Sequence, residues 1–380
     1  DEVIPDRPVV IMTGSEHEAV LNTKAMEIEG ITAETAAPLY GEIVKDHDSG
    51  EPVGYFKEAA AGKWGVKHYP SLERERHKQG LQAVIEYLNS IGITSGKQQH
   101  AKPPVATAFK DLSDENELTM RIALSWTYKG PLEPMPMEDQ ERTIAERKRF
   151  ASDLIDVDFV KLSSDGVVGA TGWVLEPYHG TEGTGLSFNS LENMTADIAR
   201  FDSMGMGVTV HAMGDAAARQ MIDALDAVKE KNGVIKARHQ LGHASLIHPD
   251  DLPRLQRVDL TSEFSPVLWF PNGMVEGYAE PLGPERLEKL WPMQSVLNAG
   301  GRINIATDGP LFWREPMETL ESAVTRKAPG AEGAALGSAE EVDLTSGIKA
   351  MTLNAAYLMN QDDTTGSIET GKYADMIVLN

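Results

Sequence analysis

The sequence contains no cysteine, no long apolar run and comparatively few basic residues. Without cysteine, the chain cannot form disulfides, bind a metal through thiolates or use a cysteine nucleophile. No apolar run reaches the roughly 18 residues that a membrane span requires, so we expect no membrane partner. The 35 Lys and Arg residues stand against 58 Asp and Glu residues, giving a formal net charge of −23. This negative field repels phosphate backbones and argues against nucleic acid as a partner.

The remaining composition is that of an ordinary globular protein, and we expect its partner to be a small-molecule substrate. With 380 residues, 41% of them hydrophobic and 24% charged, the chain is long enough for one large domain or two smaller ones. Its first residues, 1–5, include neither an initiator Met nor an apolar leader, and its last residues, 376–380, lie within a strand pattern. We therefore expect a piece of a longer polypeptide. We expect a cytoplasmic location, although a secreted form is left open. Whether the protein forms a homodimer is left open as well.

Strand patterns alternate with helix patterns along most of the chain. Amphipathic helical spacing over residues 71–91 is followed by apolar, strand-like runs bounded by turn signals. These runs cover residues 92–98, 118–124, 157–162, 208–211, 238–243, 258–264 and 302–309. Strands that alternate with helices over such a length predict parallel β-α units, and not a sandwich or a bundle.

Three of these strand patterns end in side chains that bind metals. His211 and His243 close two successive runs, and Asp308 closes a third. In a (β/α)8 barrel the carboxyl ends of the strands form the catalytic face, where neutral imidazoles and a carboxylate suit Zn²⁺. The alternative is that the histidines are core or loop residues and that Asp308 caps the turn before Gly309.

Several sequence blocks together resemble a known family. They are His17 with residues 20–25, Lys161 with Asp165-Gly166, residues 211–217, Gly242-His243, residues 307–310, residues 352–356 and residues 366–375. In these blocks the chain resembles the amidohydrolase superfamily, specifically the branch of metal-dependent hydrolases that includes N-substituted formamide deformylases. The resemblance implies a distorted (β/α)8 TIM-type barrel with a small accessory β-sandwich domain. Residues 1–364 would form the barrel, with an inserted lobe at about 1–70, and residues 365–380 would begin the small β-domain.

The resemblance also implies roles for four residues. His211 and His243 would bind one or two divalent metals, with Zn²⁺ expected, and Asp308 would bind metal and transfer a proton. Lys161 would either be carboxylated and bridge two metals or remain a lysine whose amine pairs with Asp165. Metal-activated water would attack an amide-type, non-peptide C–N bond, and Asp308 would pass the proton of that water to the leaving nitrogen.

Four further residues are candidates for contacting the substrate. The resemblance places His17 and Asn22 on the inserted lobe, facing the substrate. Trp269 and Trp313 follow the seventh and eighth strands, where they would form the wall of an apolar pocket or, alternatively, pack within loops.

The chain departs from the family pattern in two places. The family opens with a His-X-His pair on its first barrel strand, and this sequence contains no such pair. We therefore expect a missing first strand or a gap in the barrel wall. Gly242 stands where relatives often have Glu. The alternative to an enzyme is a catalytically inactive regulatory or binding protein on the same scaffold. Retention of Lys161, His211, His243 and Asp308 together favours the enzyme.

Overall fold

The computed structural model describes residues 1–13, 17–65, 72–133, 135–269, 273–309 and 315–379. The chain divides into two compact units. The first comprises Asp1–Leu72 and Tyr128–Glu141, and the second comprises Glu73–Thr127 and Arg142–Asn380. None of the described helices is long and apolar enough to cross a membrane.

The first unit is built on a small antiparallel sheet. Its strands are β1 (Val10–Met12), β2 (Glu18–Leu21), β3 (Gly41–Lys45) and β4 (Pro52–Glu58), in the order β1-β2-β4-β3. Two short helices, α1 (Thr23–Glu29) and α2 (Ala59–Trp64), accompany it. Phe56 and Trp64 pack with ring centroids 5.5 Å apart in a core that includes Leu21 and Ile43. β1 pairs with β2 in antiparallel orientation and so belongs to this small sheet.

The second unit contains seven strands in chain order within one sheet. They are β5 (Ser95–Ala101), β6 (Arg121–Thr127), β7 (Ile155–Ser163), β8 (Gly207–Ala212), β9 (Gln240–His243), β10 (Thr261–Phe264) and β11 (Arg302–Ile305). All neighbouring pairs are parallel. The predicted parallel α/β architecture is thus confirmed. Within the described residues the sheet has seven strands, with β5 and β11 at its edges, which agrees with the expected missing strand or gap in the barrel wall. The complete (β/α)8 barrel stays a prediction.

Helices separate the strands of this sheet. They are α3 (Arg74–Ser90), α4 (Pro103–Asp114), α5 (Met137–Glu146), α6 (Leu191–Ser203), α7 (Asp215–Asn232), α8 (Leu252–Arg257), α9 (Gly273–Leu287), α10 (Met293–Asn298), α11 (Pro316–Thr325), α12 (Leu344–Met351) and α13 (Leu353–Leu358). Residues 365–379 contain neither helix nor strand. Their assignment to a small β-domain stays a prediction.

The parallel sheet is strongly curled. In a flat sheet β5 and β9 would lie four strand spacings apart, roughly 19 Å at about 4.8 Å per strand. Yet Lys97 Nζ, on β5, donates a hydrogen bond to Gln240 Oε1, on β9, at 3.0 Å. The side chains of distant strands can meet in this way only if the sheet bends towards them. The second unit is therefore a half barrel, with Lys97 and Gln240 on its inner face.

Candidate active site

Three predicted site residues meet at the carboxyl ends of the strands. His211 lies near the end of β8 and His243 is the last residue of β9. Their imidazole rings are arranged edge to face, with centroids 4.5 Å apart. Asp308 follows β11, and its Oδ2 lies 3.9 Å from His243 Nδ1. The structure therefore brings two imidazoles and one carboxylate together at one edge of the sheet.

Asp165 fixes the orientation of His211. The Asp165 carboxylate is buried and lies 3.1 Å from His211 Nδ1. It also accepts hydrogen bonds from the backbone amides of Trp173, Met213 and Gly214 at 2.8 to 3.0 Å. Because an ionised carboxylate only accepts, Nδ1 of His211 must carry a proton, which places the lone pair of the neutral imidazole on Nε2. This is the tautomer that a metal-binding histidine needs.

The backbone is strained where the site residues sit. His243 and Ala244 have φ values of 65° and 41°, and Asp308 has a φ of 48°. Positive φ is unfavourable for residues other than glycine, at a cost of about 1–3 kcal/mol each in a sparsely populated region. Such outliers cluster at functional sites, where the surrounding structure enforces them. The strain at these strand ends points to a functional role for this edge.

Lys161 is buried on β7, beside the position where the chain departs from the family pattern. A Cβ atom at Gly242 would lie 3.2 Å from Lys161 Nζ and 3.1 Å from the carbonyl oxygen of Val210. The glycine therefore leaves room for the lysine amine. Burial lowers the pKa of Lys161, while the negative charges of Glu263, Asp308 and Asp165 act in the opposite direction.

Glu263 is a buried acid that the sequence analysis missed. It lies on β10, where burial raises the pKa of its carboxyl group while Lys161 and Lys97 oppose the rise. It also accepts a hydrogen bond from the side-chain amide of Gln240. The sequence did contain a signal for Glu263, because a glutamate inside a short buried strand is rare unless its charge is paired. Its partners come from other strands, and the local pattern does not reveal them.

Gln240 connects Lys97 with Glu263. Its Oε1 accepts from Lys97 Nζ and from the hydroxyl of Thr209, the latter at 3.2 Å. The Lys97 ammonium lies 4.3 Å from the ring centroid of Phe159, and burial lowers the pKa of Lys97 to about 8. A polar network thus fills the inner face of the half barrel directly below the strand ends.

The donors at the strand ends fit a divalent metal in kind. Two neutral imidazoles and a carboxylate form a ligand set that catalytic zinc sites use with one open position. Within the part of the chain that the structure describes, however, no group of three His, Asp or Glu side chains is close enough together to hold a metal ion. His211, His243 and Asp308 are thus assembled in one place but not yet in coordinating geometry.

The two candidates for substrate contact on the first unit differ in their surroundings. His17 Nδ1 lies 2.8 Å from Glu58 Oε2, and Glu58 is buried with an unusual φ of 50°. The Asn22 side chain caps α1 by accepting from the backbone amide of Ala25 and also accepts from that of Val9. Its amide group donates to two more backbone oxygens. Asn22 therefore has a structural role within this unit.

An aromatic pocket lies beside His243. Its other lining residues are Met213, Ser245, Ser265, Leu268, Tyr278 and Trp291. Trp269, the predicted pocket residue, is not among them: it stacks on Trp291, with ring centroids 4.7 Å apart, and supports the wall from behind. Trp313 lies outside the described residues. The serines and Tyr278 were missed, although Ser245 and Ser265 each lie two residues beyond a site residue, His243 and Glu263.

The chain is similar to amidohydrolases along its whole length. The profile of the amidohydrolase family matches residues 1–380. An N-substituted formamide deformylase from Arthrobacter pascens is 26% identical over 388 residues, covering 100% of this chain and 69% of the relative.

Solved structures share the fold. An uncharacterized metal-dependent hydrolase from Pyrococcus horikoshii has a TM-score of 0.75 at 22% identity, over 98% of this chain and 71% of that one. A mutant of atrazine chlorohydrolase from Arthrobacter aurescens, solved with zinc, has a TM-score of 0.53 at 14% identity, over 83% of this chain and 65% of that one. Because the family profile spans the whole chain, this protein belongs to the amidohydrolase family.

Proposed function

We propose that this protein is a metal-dependent hydrolase of amide-type, non-peptide C–N bonds. The observation that carries the proposal is the meeting of His211, His243 and Asp308 at the strained carboxyl ends of parallel strands. The similarity to a deformylase of N-substituted formamides supports the bond type. A small, uncharged amide is the substrate class that fits this assignment.

His211, His243 and Asp308 would hold the metal, for which Zn²⁺ is the first candidate. When bound, a divalent metal supplies a Lewis acid and lowers the pKa of water to about 7. Asp165 contributes by holding His211 with Nε2 directed away from the carboxylate. This second layer of hydrogen bonding orients the ring before any ligand arrives.

Asp308 would transfer the proton. Its carboxylate is only partly buried and lies beside His243, so it can meet both the attacking water and the substrate. It would accept a proton from the water as the new C–O bond forms. It would then deliver that proton to the nitrogen as the C–N bond breaks.

Lys161 would remain an unmodified ammonium group. Carboxylation would replace its positive charge with a negative one beside the buried Glu263, and two like charges in a buried site destabilise each other. As an ammonium group, Lys161 balances Glu263 instead. Without a carboxylated bridge, this arrangement would hold one metal and not two.

Metal analysis alongside an activity assay tests the proposal. We expect the purified protein to bind metal and to hydrolyse N-formyl or N-acetyl amines, and we expect His211→Ala and His243→Ala to lose both properties. His239→Ala is the matched control, because His239 is buried on Asp202 away from the strand ends. It should destabilise the protein but retain metal. Absence of metal and turnover in the wild-type protein would favour the non-catalytic scaffold.

Lys161→Ala distinguishes the two forms of the lysine. A carboxylated bridge predicts loss of about half the bound metal, because one of two ions loses a ligand. An unmodified ammonium predicts full occupancy with lower stability. Elemental analysis of wild-type and variant protein, with intact-mass measurement to detect the added carboxyl group, separates these outcomes.

A further inference from the structure

Three buried hydroxyl groups near His243 have no hydrogen-bond partner in the described part of the chain. They belong to Ser245, Ser265 and Tyr278, each less than 5% exposed. Buried hydroxyls are almost always bonded, because leaving one unpaired forfeits its interaction with water. Three such groups in one place call for a common explanation.

All three hydroxyl-bearing residues line the pocket beside His243. The rest of the wall is apolar and consists of Met213, Leu268 and Trp291. The pocket has room for about one water-sized group. Residues that carry three O–H groups therefore surround room for a single small polar atom, and among the described lining residues other than His243 none has a charged side chain.

The local structure holds the pocket in shape. The backbone amide of Trp291 donates to the carbonyl oxygen of Ser245 at 2.8 Å, which ties the loop after β9 to the aromatic wall. Trp269 stacks behind Trp291, and the buried Arg326 guanidinium lies 4.4 Å from the Trp269 ring centroid. The pocket is thus backed by close-packed groups, and its donors are arranged before a ligand arrives.

We propose that this pocket receives the carbonyl oxygen of the substrate, with the hydroxyls of Ser245, Ser265 and Tyr278 as hydrogen-bond donors. The inference rests on the proposed function, because it assigns a place to one atom of the amide. When the water oxygen bonds to the carbonyl carbon, the π electron pair of the C=O bond moves to this oxygen. The pair returns when the C–N bond breaks and the nitrogen leaves with the proton.

Preorganised donors are most effective for such a step. They stabilise the developing negative charge without having to reorient, and the apolar wall keeps competing water away. Burial raises the pKa of Tyr278 above its ordinary value of 10.0, and the nearby Asp308 adds to the rise. The phenol therefore stays protonated and able to donate.

The test compares pocket variants with a matched control. We expect Ser265→Ala and Tyr278→Phe each to lower kcat by roughly 10²-fold, as loss of one such donor does, and to raise KM, because the same hydroxyl also binds the carbonyl oxygen of the bound substrate. Ser262→Ala is the control: the Ser262 hydroxyl is also buried without a partner but does not line the pocket. Its kcat should equal that of the wild type. All three variants should unfold at the wild-type urea concentration, because none loses a hydrogen bond.

A binding measurement makes the test independent of turnover. Acetamide labelled with ¹³C at its carbonyl carbon is titrated with each protein and followed by NMR. We expect the wild type and Ser262→Ala to shift or broaden the carbonyl signal, and Ser265→Ala and Tyr278→Phe to do so much less.

The outcomes separate the pocket from the function. If the pocket holds only a buried water, the pocket variants will keep kcat within threefold and will perturb acetamide as Ser262→Ala does, and the inference falls. A wild-type protein that leaves the acetamide signal unchanged also overturns it. If acetamide binding depends on Ser265 and Tyr278 but no N-acyl amine is hydrolysed, the pocket stands and the proposed function fails.

Discussion

Asp165→Asn should both destabilise the protein and disturb the site. One carboxylate oxygen of Asp165 bonds His211 and the Met213 amide, and the other bonds the amides of Trp173 and Gly214. An asparagine keeps a single acceptor oxygen, so two of the four donors must face an NH₂ group. A hydrogen bond to a charged group contributes about 1.5–3 kcal/mol. The free energy of unfolding should therefore fall by about 3–6 kcal/mol, a large part of the roughly 5–15 kcal/mol of a typical domain.

Asp202→Asn provides a matched control for this variant. Asp202 is also buried and also pairs with a histidine, but His239 and the amides of Lys236 and Ala237 all bond its Oδ1. An asparagine can present its oxygen at that position and keep all three bonds. Each bond should weaken by about 1 kcal/mol, the difference between a charged and a neutral acceptor, so the three together should cost about 3 kcal/mol. Asp165→Asn should cost more, because its two retained bonds weaken in the same way in addition to the two that it loses. Metal content and activity should remain at the wild-type level.

Urea unfolding and elemental analysis measure both effects. We expect Asp165→Asn to unfold at much lower urea and to bind less metal, because His211 can then adopt the other tautomer or ring orientation. If Asp165→Asn costs less than about 1 kcal/mol and retains full metal content, Asp165 is not the acceptor that orders this site. If the two variants cost the same, the argument from oxygen geometry is wrong.

Three further predictions concern catalysis, pH and packing. Asp308→Asn should keep most of the metal while kcat falls by about 10²–10⁴; wild-type turnover in this variant would exclude Asp308 as the proton carrier. Burial lowers the pKa of Lys97 to about 8 in the folded protein, whereas the pKa of an unfolded lysine is roughly 10.4. Between these two values the unfolded chain binds more protons than the folded one, so the free energy of unfolding should rise as the pH is raised from 8 to 10. Urea titrations should show a smaller rise for Lys97→Met. Gly242→Ala should lower the free energy of unfolding by about 1–3 kcal/mol, because its Cβ would crowd Lys161 Nζ. Gly80→Ala is the control: its Cβ would meet open space in α3, so it should raise the free energy of unfolding by about 0.5–1 kcal/mol. Equal effects of the two variants would contradict the packing argument.

The sequence predicted the parallel strands of the second unit because their signals are local. Each is an apolar run closed by a turn, and a residue such as His211 or His243 at the end of a run is placed at the sheet edge by that position alone. The partner of His211 could also have been predicted from the sequence, because Asp165 follows the preceding strand. The geometry of these residues follows from the topology of parallel strands and needs no knowledge of distant contacts.

The inner network could not be predicted in this way. Lys97 and Gln240 are 143 residues apart and lie on strands that are not neighbours in the sheet, so only the curl of the sheet brings them together. Tyr278 and Trp291 reach the pocket from a helix and a turn whose sequence patterns do not distinguish them from other helices and turns. Contacts of this kind depend on how elements pack, and periodicity within one element does not report them.

Gly242 and Glu263 together form the surroundings of Lys161. The missing side chain of Gly242 leaves room for the lysine amine. Glu263 brings a carboxylate to the same region from the adjacent strand, where its charge acts on both Lys161 and Lys97. Without Glu263, the two buried lysines would repel each other with less compensation, which destabilises a site of low dielectric constant. The inner face therefore depends on both residues, because one provides the space for the lysine amine and the other opposes its charge.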